Sequence, residues 1–172
     1  MTRQEQAEWI ERWVPAAQAS QRNYGIPASI TLAQAIIESS DRLGHWGFSQ
    51  CARQAKNYFG IKVEHDGEKY IEFPTKEFKE GHPYLDSGAR FRAFDDPAES
   101  FAAHGELIAN ARRYRTAMEA AHDYAAFAAQ LQACGYSTNP KYAEDLTWMV
   151  RRYNLAQYDT LPPELPAMKE TA

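Results

Sequence analysis

The sequence predicts a mainly helical α+β fold with a small β-region inserted between helical segments. Apolar residues recur at helical spacing near the N-terminus, in a stripe formed by Trp9, Ile10, Trp13 and Val14. From about residue 58 to residue 94, turn signals and alternating residues replace this pattern. Helical periodicity then returns. A chain of 172 residues with this order of elements is most simply one domain.

The first two helices have clear start signals. Thr2 and Glu5 fit a capping box that opens the first helix. Pro27 suits the first turn of a second helix, which is predicted to run to about Ser40. Both helices lie before the β-region.

The β-region is predicted from one turn and several alternating runs. Asp66-Gly67 lies between two such runs, which is a strong hairpin signal. The segments 74–78 and 89–94 alternate as strands do, and the stretch 79–88 between them is rich in turn residues. We therefore expect a hairpin across Asp66-Gly67 and two further strands joined by a turn.

Three helices are predicted after the β-region. Asp95 or Asp96 caps the first, which has Pro97 in its first turn and continues to about Arg113. The second ends at Gly135. The third starts near residue 140 and buries a face formed by Leu146, Met149, Val150 and Tyr153. The domain is thus expected to cover residues 1–158, and residues 159–172 form a proline-containing tail.

Composition excludes several classes of protein. A net charge of -4 and a pI near 5.7 do not favour a nucleic-acid partner. No stretch reaches the roughly 18 apolar residues of a membrane span, and the N-terminus lacks the apolar centre of a signal peptide. We therefore expect no membrane insertion and synthesis in the cytoplasm without a Sec signal.

Neither cysteine nor histidine predicts a cofactor. The two cysteines, Cys51 and Cys134, are expected to be inert thiols, with a bond between them as the less favoured alternative. Neither lies in a nucleophile motif. The five histidines lack paired ligand spacing: His45, His65, His82, His104 and His122. We predict neither a metal site nor a cofactor.

Glu38 is the most informative side chain, because it ends the apolar run 30–37 of the second helix. Partial burial and the negative end of the helix dipole both disfavour a charged carboxylate. Both effects raise its pKa, which suits a general acid near neutral pH. The alternative is a solvated helix end without a catalytic role.

Five motifs in order resemble a known family: LAQAIIESS (32–40), NYFGIK (57–62), TKEFKEG (75–81), FRAFDDPAESF (91–101) and GYSTNPKYAEDL (135–146). They resemble the glucosaminidase family of peptidoglycan hydrolases, glycoside hydrolase family 73, which includes the hydrolase half of the flagellar rod-cap protein. The resemblance covers about residues 20 to 155. It implies a lysozyme-like fold and an endo-β-N-acetylglucosaminidase that cleaves the β-1,4 bond from N-acetylglucosamine to N-acetylmuramic acid.

The resemblance also implies the two catalytic carboxylates. Glu38 is the glutamate of the motif LAQAIIES and corresponds to the acid, and Glu77 in TKEFKEG corresponds to the second carboxylate. Spacing alone leaves other β-region acids nearly as good: Glu64, Glu68, Glu72 and Glu80. One carboxyl protonates the leaving oxygen while negative charge supports an oxocarbenium-like transition state. The sequence leaves open whether the second activates water, acts as a nucleophile or orients the acetamido group.

Five residues are predicted to contact the sugar. Tyr136 and Tyr142 resemble family positions at the cleft, and packing is the alternative for Tyr142. Asn57 and Tyr58 are possible substrate contacts, and Tyr114 matches a family stretch in which binding and packing are equally expected. The tryptophans Trp9, Trp13 and Trp46 are assigned to the core by default.

The leading hypothesis is a glucosaminidase that acts on peptidoglycan strands in the periplasm or cell wall of a target cell. Three contexts agree with such a catalytic domain: a type VI secretion effector, a phage endolysin and an excised domain. The mild acidity of the chain favours the effector. The expected partner of an effector is an immunity protein that occludes the cleft. A lytic transglycosylase or muramidase on the same scaffold is the alternative among enzymes. A non-catalytic glycan-binding module is the alternative outside them.

Overall fold

A computed structural model describes residues 1–79 and 82–159, and for 76–79 and 82–84 it describes the backbone alone. The helices are α1 Arg3–Tyr24, α2 Ala28–Ser39, α3 Gln50–Ala55, α4 Pro97–Asn110, α5 Arg115–Glu119, α6 Tyr124–Ala133 and α7 Tyr142–Arg152. The strands are β1 Tyr70–Glu72, β2 Thr75–Lys79, β3 His82–Asp86 and β4 Arg90–Arg92. Short 3-10 turns cover Arg112–Tyr114 and Leu155–Tyr158. The mainly helical α+β class is confirmed.

The capping box of α1 is confirmed. The Glu5 backbone N–H donates to the Thr2 hydroxyl (3.2 Å), and the Glu5 carboxylate accepts from the Thr2 backbone (2.6 Å). The helix ends where Gly25 adopts a left-handed φ of 81°.

The second helix, α2, is the centre of the core. It begins one residue later than predicted, with Pro27 at the N-cap position. Ten of its twelve residues are buried, because it packs against α1, α7 and the turn 155–158. The Asp159 carboxylate accepts hydrogen bonds from the backbone N–H and the hydroxyl of Ser29 (both 2.7 Å). Asp159 thus satisfies a free donor in the first turn of α2, and residues 160–172 lie outside the described residues.

The predicted hairpin across Asp66-Gly67 is wrong. A turn does form there, but β1 pairs antiparallel with β4, with Ile71 opposite Phe91. The backbone N–H groups of residues 64 and 65 donate to the Glu68 carboxylate (3.0 and 3.3 Å), so this loop is closed by a side chain instead of a strand ladder. Packing of Phe73 on Phe91, with ring centroids 4.4 Å apart, favours the long-range pairing.

A second correction concerns residues 79–88, which were predicted as a turn. Residues 82–86 form β3, which pairs antiparallel with β2 and places Glu77 opposite Tyr84. Pro83 is compatible with this strand because each strand of a two-stranded sheet keeps a free edge. The β-lobe therefore consists of two small antiparallel sheets, β1–β4 and β2–β3.

The later helices are shorter than predicted. The Asp96 cap is confirmed, but α4 ends at Asn110, and the turn 112–114 and α5, which were not predicted, follow it. The Asp123 carboxylate accepts from the backbone of residues 125 and 126 (2.7 and 3.0 Å) and so caps the start of α6. Gly135, with a φ of 74°, follows the end of α6, as predicted.

Both cysteines are free thiols, as expected. Burial raises the pKa of Cys51 to about 12, which makes its thiol unreactive near neutral pH.

Trp9 and Trp46 are buried, and Trp13 packs against the same core. In the described part of the chain, no helix combines the length and apolar character that crossing a membrane requires.

Candidate active site

A cleft of about 650 Å³ separates the helical part from the β-lobe. Glu38 lines it from the last turn of α2, and Phe73 and Thr75 line it from the β-lobe. Tyr114, Tyr136 and the residues after Tyr136 complete the helical wall. The fold therefore brings the end of the apolar helix and the start of β2 to one cavity.

Burial raises the pKa of the half-buried Glu38 carboxyl above its usual range, because the charged form loses solvation. A hydrogen bond from the Tyr142 hydroxyl to Glu38 Oε1 (3.2 Å) acts in the opposite direction and is the smaller effect. The carboxyl thus holds its proton more readily than an exposed glutamate does. This is the property that a general acid needs.

A buried chain of hydrogen bonds fixes the orientation of the Glu38 carboxyl. Gln34 lies one helical turn before Glu38 on α2, and its Nε2 donates to the Tyr142 hydroxyl (3.0 Å). Because Tyr142 accepts this bond, its own proton points to Glu38. Burial also raises the pKa of Tyr142, which keeps the hydroxyl protonated. Gln34 was not predicted as a site residue, although a polar residue four positions before Glu38 in an apolar helix is a sequence signal for such a contact.

The three predicted tyrosines occupy different places. Tyr136 is half-buried and lines the cleft, and its ring stacks on Tyr142 with centroids 5.4 Å apart. Tyr142 is only 2 % exposed and contacts the acid, but it is not among the described residues that line the cleft. Tyr114 is buried against Tyr136 and lines the cleft beneath the Arg113 guanidinium, which lies 4.5 Å from its ring centroid. The sequence analysis did not single out Arg113.

The other two predicted contacts have packing roles. Asn57 is fully buried, and its Oδ1 accepts from the backbone of residues 59 and 61 (3.3 and 3.0 Å). Its Nδ2 donates to the carbonyls of residues 61 and 92 (2.8 and 2.9 Å), so its side chain holds the joint between the lobes. Tyr58 packs among Trp9, Trp13 and Phe101. Neither residue is among the described ones that line the cleft, and a sugar contact by either one stays a prediction.

Two of the alternative β-lobe acids are engaged elsewhere. Glu72 pairs with Arg90 (2.8 Å) on the surface. Glu68 pairs with Arg92 (3.2 Å), and hydrogen bonds from the loop backbone hold its pKa below the usual range. Glu77 lies in β2 two residues after Thr75, and its side chain, like all of Glu80, lies outside the described residues. Glu64 lines a neighbouring groove.

Replacement of Tyr142 by phenylalanine should raise the pKa of Glu38 further, since it removes the hydrogen bond that stabilises the carboxylate. We expect the alkaline limb of the pH–activity profile to move to higher pH. The matched control is Tyr158→Phe, which removes a similar bond from a tyrosine to Glu11 (2.7 Å) on the surface and should leave the profile unchanged. An unshifted alkaline limb in the Tyr142 variant contradicts the assignment.

Within residues 1–79 and 82–159, no group of three or more histidine, cysteine, aspartate or glutamate side chains is arranged to hold a metal ion.

Comparison with known proteins places the chain among glycan-cleaving enzymes. Residues 14–155 match the family described as mannosyl-glycoprotein endo-beta-N-acetylglucosaminidase. The exo-glucosaminidase LytG of Bacillus subtilis is 33% identical over 95% of this chain and 57% of its own length. The peptidoglycan hydrolase FlgJ of Pseudomonas aeruginosa is 29% identical over 87% of this chain and 37% of its own. The chain thus spans only part of these relatives.

Solved structures share the fold. The catalytic domain of the autolysin Auto from Listeria monocytogenes has a TM-score of 0.78 and 29% identity, over 92% of this chain and 90% of that one. A chain of a type VI secretion effector–immunity complex from Pseudomonas protegens matches with a TM-score of 0.53 and 20% identity, over 87% of this chain and 92% of that one. At that identity the second likeness concerns the fold alone.

Proposed function

Since this chain belongs to the glucosaminidase family of glycoside hydrolases, we propose that it is an endo-β-N-acetylglucosaminidase acting on peptidoglycan. The bond cleaved is the β-1,4 linkage from N-acetylglucosamine to N-acetylmuramic acid. One observation carries the proposal: Glu38 combines a raised pKa, a fixed orientation and a place on a cleft lined by aromatic rings.

In this proposal, Glu38 protonates the oxygen that leaves as the glycosidic C–O bond breaks. Water supplies the hydroxyl that bonds to the anomeric carbon, and its remaining proton restores the acid–base pair. Glu77 is the proposed second carboxylate. Support comes from Thr75, which lines the cleft at the start of β2, the strand that carries Glu77.

A second groove of about 770 Å³ borders the cleft, and the two share Ile61, Leu107 and Arg113 in their walls. A groove beside the cleft gives room for further sugar units, which favours binding within a long strand and therefore endo cleavage. Exo cleavage is the second candidate, because the relative LytG is named an exo-glucosaminidase.

Digestion of purified peptidoglycan with product analysis tests the proposal. The expected products are internal fragments ending in reducing N-acetylglucosamine. Anhydro-muramic ends would identify a lytic transglycosylase, and reducing muramic ends a muramidase. Progressive release of terminal units alone identifies exo cleavage, and intact sacculi identify a binding module.

We further propose that the enzyme acts in the periplasm or cell wall of a target cell as an antibacterial effector, with an immunity protein that occludes the cleft. The fold shared with the effector–immunity complex and the acidic net charge of -4 support this proposal. Expression directed to the periplasm of a test bacterium should cause lysis, whereas cytoplasmic expression should not. The alternative, a phage endolysin, predicts lysis in the cytoplasmic arm once a holin is co-expressed.

A further inference from the structure

His104 is a buried polar side chain without a hydrogen-bond partner in the part of the chain that the structure describes. It lies on α4, is 1 % exposed, and neither ring nitrogen has a hydrogen-bond partner among the described residues. Burial lowers the pKa of His104 to about 3, so the ring is neutral near pH 7. A neutral imidazole has one donor and one acceptor, and a buried donor or acceptor that is left unpaired destabilises the folded state.

The ring of His104 lies at the wall of the cleft. It stacks on Phe59 with centroids 4.0 Å apart and meets Tyr136 edge-on at 6.4 Å. His104, Phe59 and Tyr136 all line the same cavity as Glu38. The two ring nitrogens without hydrogen-bond partners among the described residues therefore belong to a ring that is packed beside Tyr136, a predicted sugar contact.

We propose that His104 is a substrate-positioning residue whose imidazole ring hydrogen-bonds to the saccharide unit bound beside Tyr136. This inference rests on the proposed glucosaminidase function and adds a residue to it. The partner is a hydroxyl or the acetamido amide of an N-acetylhexosamine, either of which can donate to or accept from one of the two ring nitrogens. Bound substrate then satisfies a polar group that the fold leaves unpaired, and sugars lacking such a group are discriminated against.

The variant His104→Phe keeps a ring of similar shape on Phe59 and removes both unpaired nitrogens. Loss of one substrate hydrogen bond should lower kcat/KM on soluble glycan fragments about tenfold. The melting temperature should rise, because a buried unsatisfied group is gone. Wild-type kcat/KM together with a higher melting temperature would show that His104 only fills the core and would overturn the proposal.

Two comparisons keep the test decisive. The near-isosteric pair His104→Gln and His104→Met differs in hydrogen-bonding groups, so the glutamine variant should retain more activity; equal activities contradict the proposal. Trp13→Phe is the control, because Trp13 Nε1 is also buried and unpartnered but Trp13 packs among Trp9, Tyr58 and Phe101. Its activity should be unchanged.

A binding measurement separates this inference from the proposed function. Affinity for glycan fragments is measured by calorimetry for Glu38→Gln and for the double variant Glu38→Gln/His104→Phe. A tenfold weaker double variant supports His104 even if wild type cleaves no glycosidic bond. Equal affinities count against His104 while leaving the hydrolase activity standing.

Discussion

Replacement of Glu38 by glutamine is expected to lower kcat on peptidoglycan by about 10²–10⁴-fold, the usual contribution of a general acid. Glutamine keeps an oxygen for the Tyr142 hydroxyl, which now donates to Glu38 at 3.2 Å, but it cannot protonate the leaving oxygen. Release of reducing ends from purified sacculi measures the effect. Glu8→Gln, which changes an exposed glutamate of α1, is the matched control and should retain full activity.

The stability of Glu38→Gln separates catalysis from folding. Because the pKa of Glu38 is raised in the folded state, its contribution to stability is present at low pH and is lost as pH rises through that raised value. Glutamine does not ionise. The variant should therefore be at least as stable as wild type at neutral pH and lose any advantage in acid, which thermal unfolding at several pH values measures. Full lytic activity in this variant would refute the assignment of the acid.

Replacement of Glu77 by glutamine is expected to impair the same reaction by a comparable or smaller factor. The second carboxylate acts on the developing positive charge or on the attacking water, and its charge is lost in this variant. Initial rates measure this effect. The anomeric configuration of the products is measured as well, because it distinguishes retention from inversion.

Glu72→Gln is the matched control for Glu77→Gln. Glu72 lies in the same lobe, but its carboxylate pairs with Arg90 on the surface, so its removal should leave the rate within about twofold of wild type, as exposed ion pairs contribute little. Full activity in the Glu77 variant would show that another acid of the β-lobe is the second catalytic carboxylate. Glu64 and Glu80 would then be tested next.

Local signals predicted several helix ends, because each of these signals depends on neighbouring residues. The capping box at Thr2, the cap at Asp96 and the stop at Gly135 are satisfied within one or two turns of chain. The β-lobe was predicted less well. The turn at Asp66-Gly67 forms, but the partner of β1 is decided by Phe73 packing on Phe91 and by the Glu68 side chain closing its own loop.

Some features of the candidate site could likewise be predicted from local sequence, and others could not. Glu38 and its raised pKa followed from one apolar helix and its last turn. The roles of Asn57 and Tyr142 did not, because hydrogen bonds across the lobe joint and between α2 and α7 determine what each side chain contacts.

By itself, the sequence determined the longer helices, the family resemblance and the place of Glu38 at the end of an apolar helix, since each of these depends on a contiguous motif. Only the tertiary structure decided which residues face the cleft. The fold places Tyr142 and Gln34 in a hydrogen-bonded chain that ends at Glu38. It buries Asn57 and Tyr58 in the core. At the wall of the cleft, the His104 ring nitrogens have no hydrogen-bond partner among the described residues. The physical reason is that burial and hydrogen-bond satisfaction depend on groups distant in the chain, which spacing along a sequence does not encode.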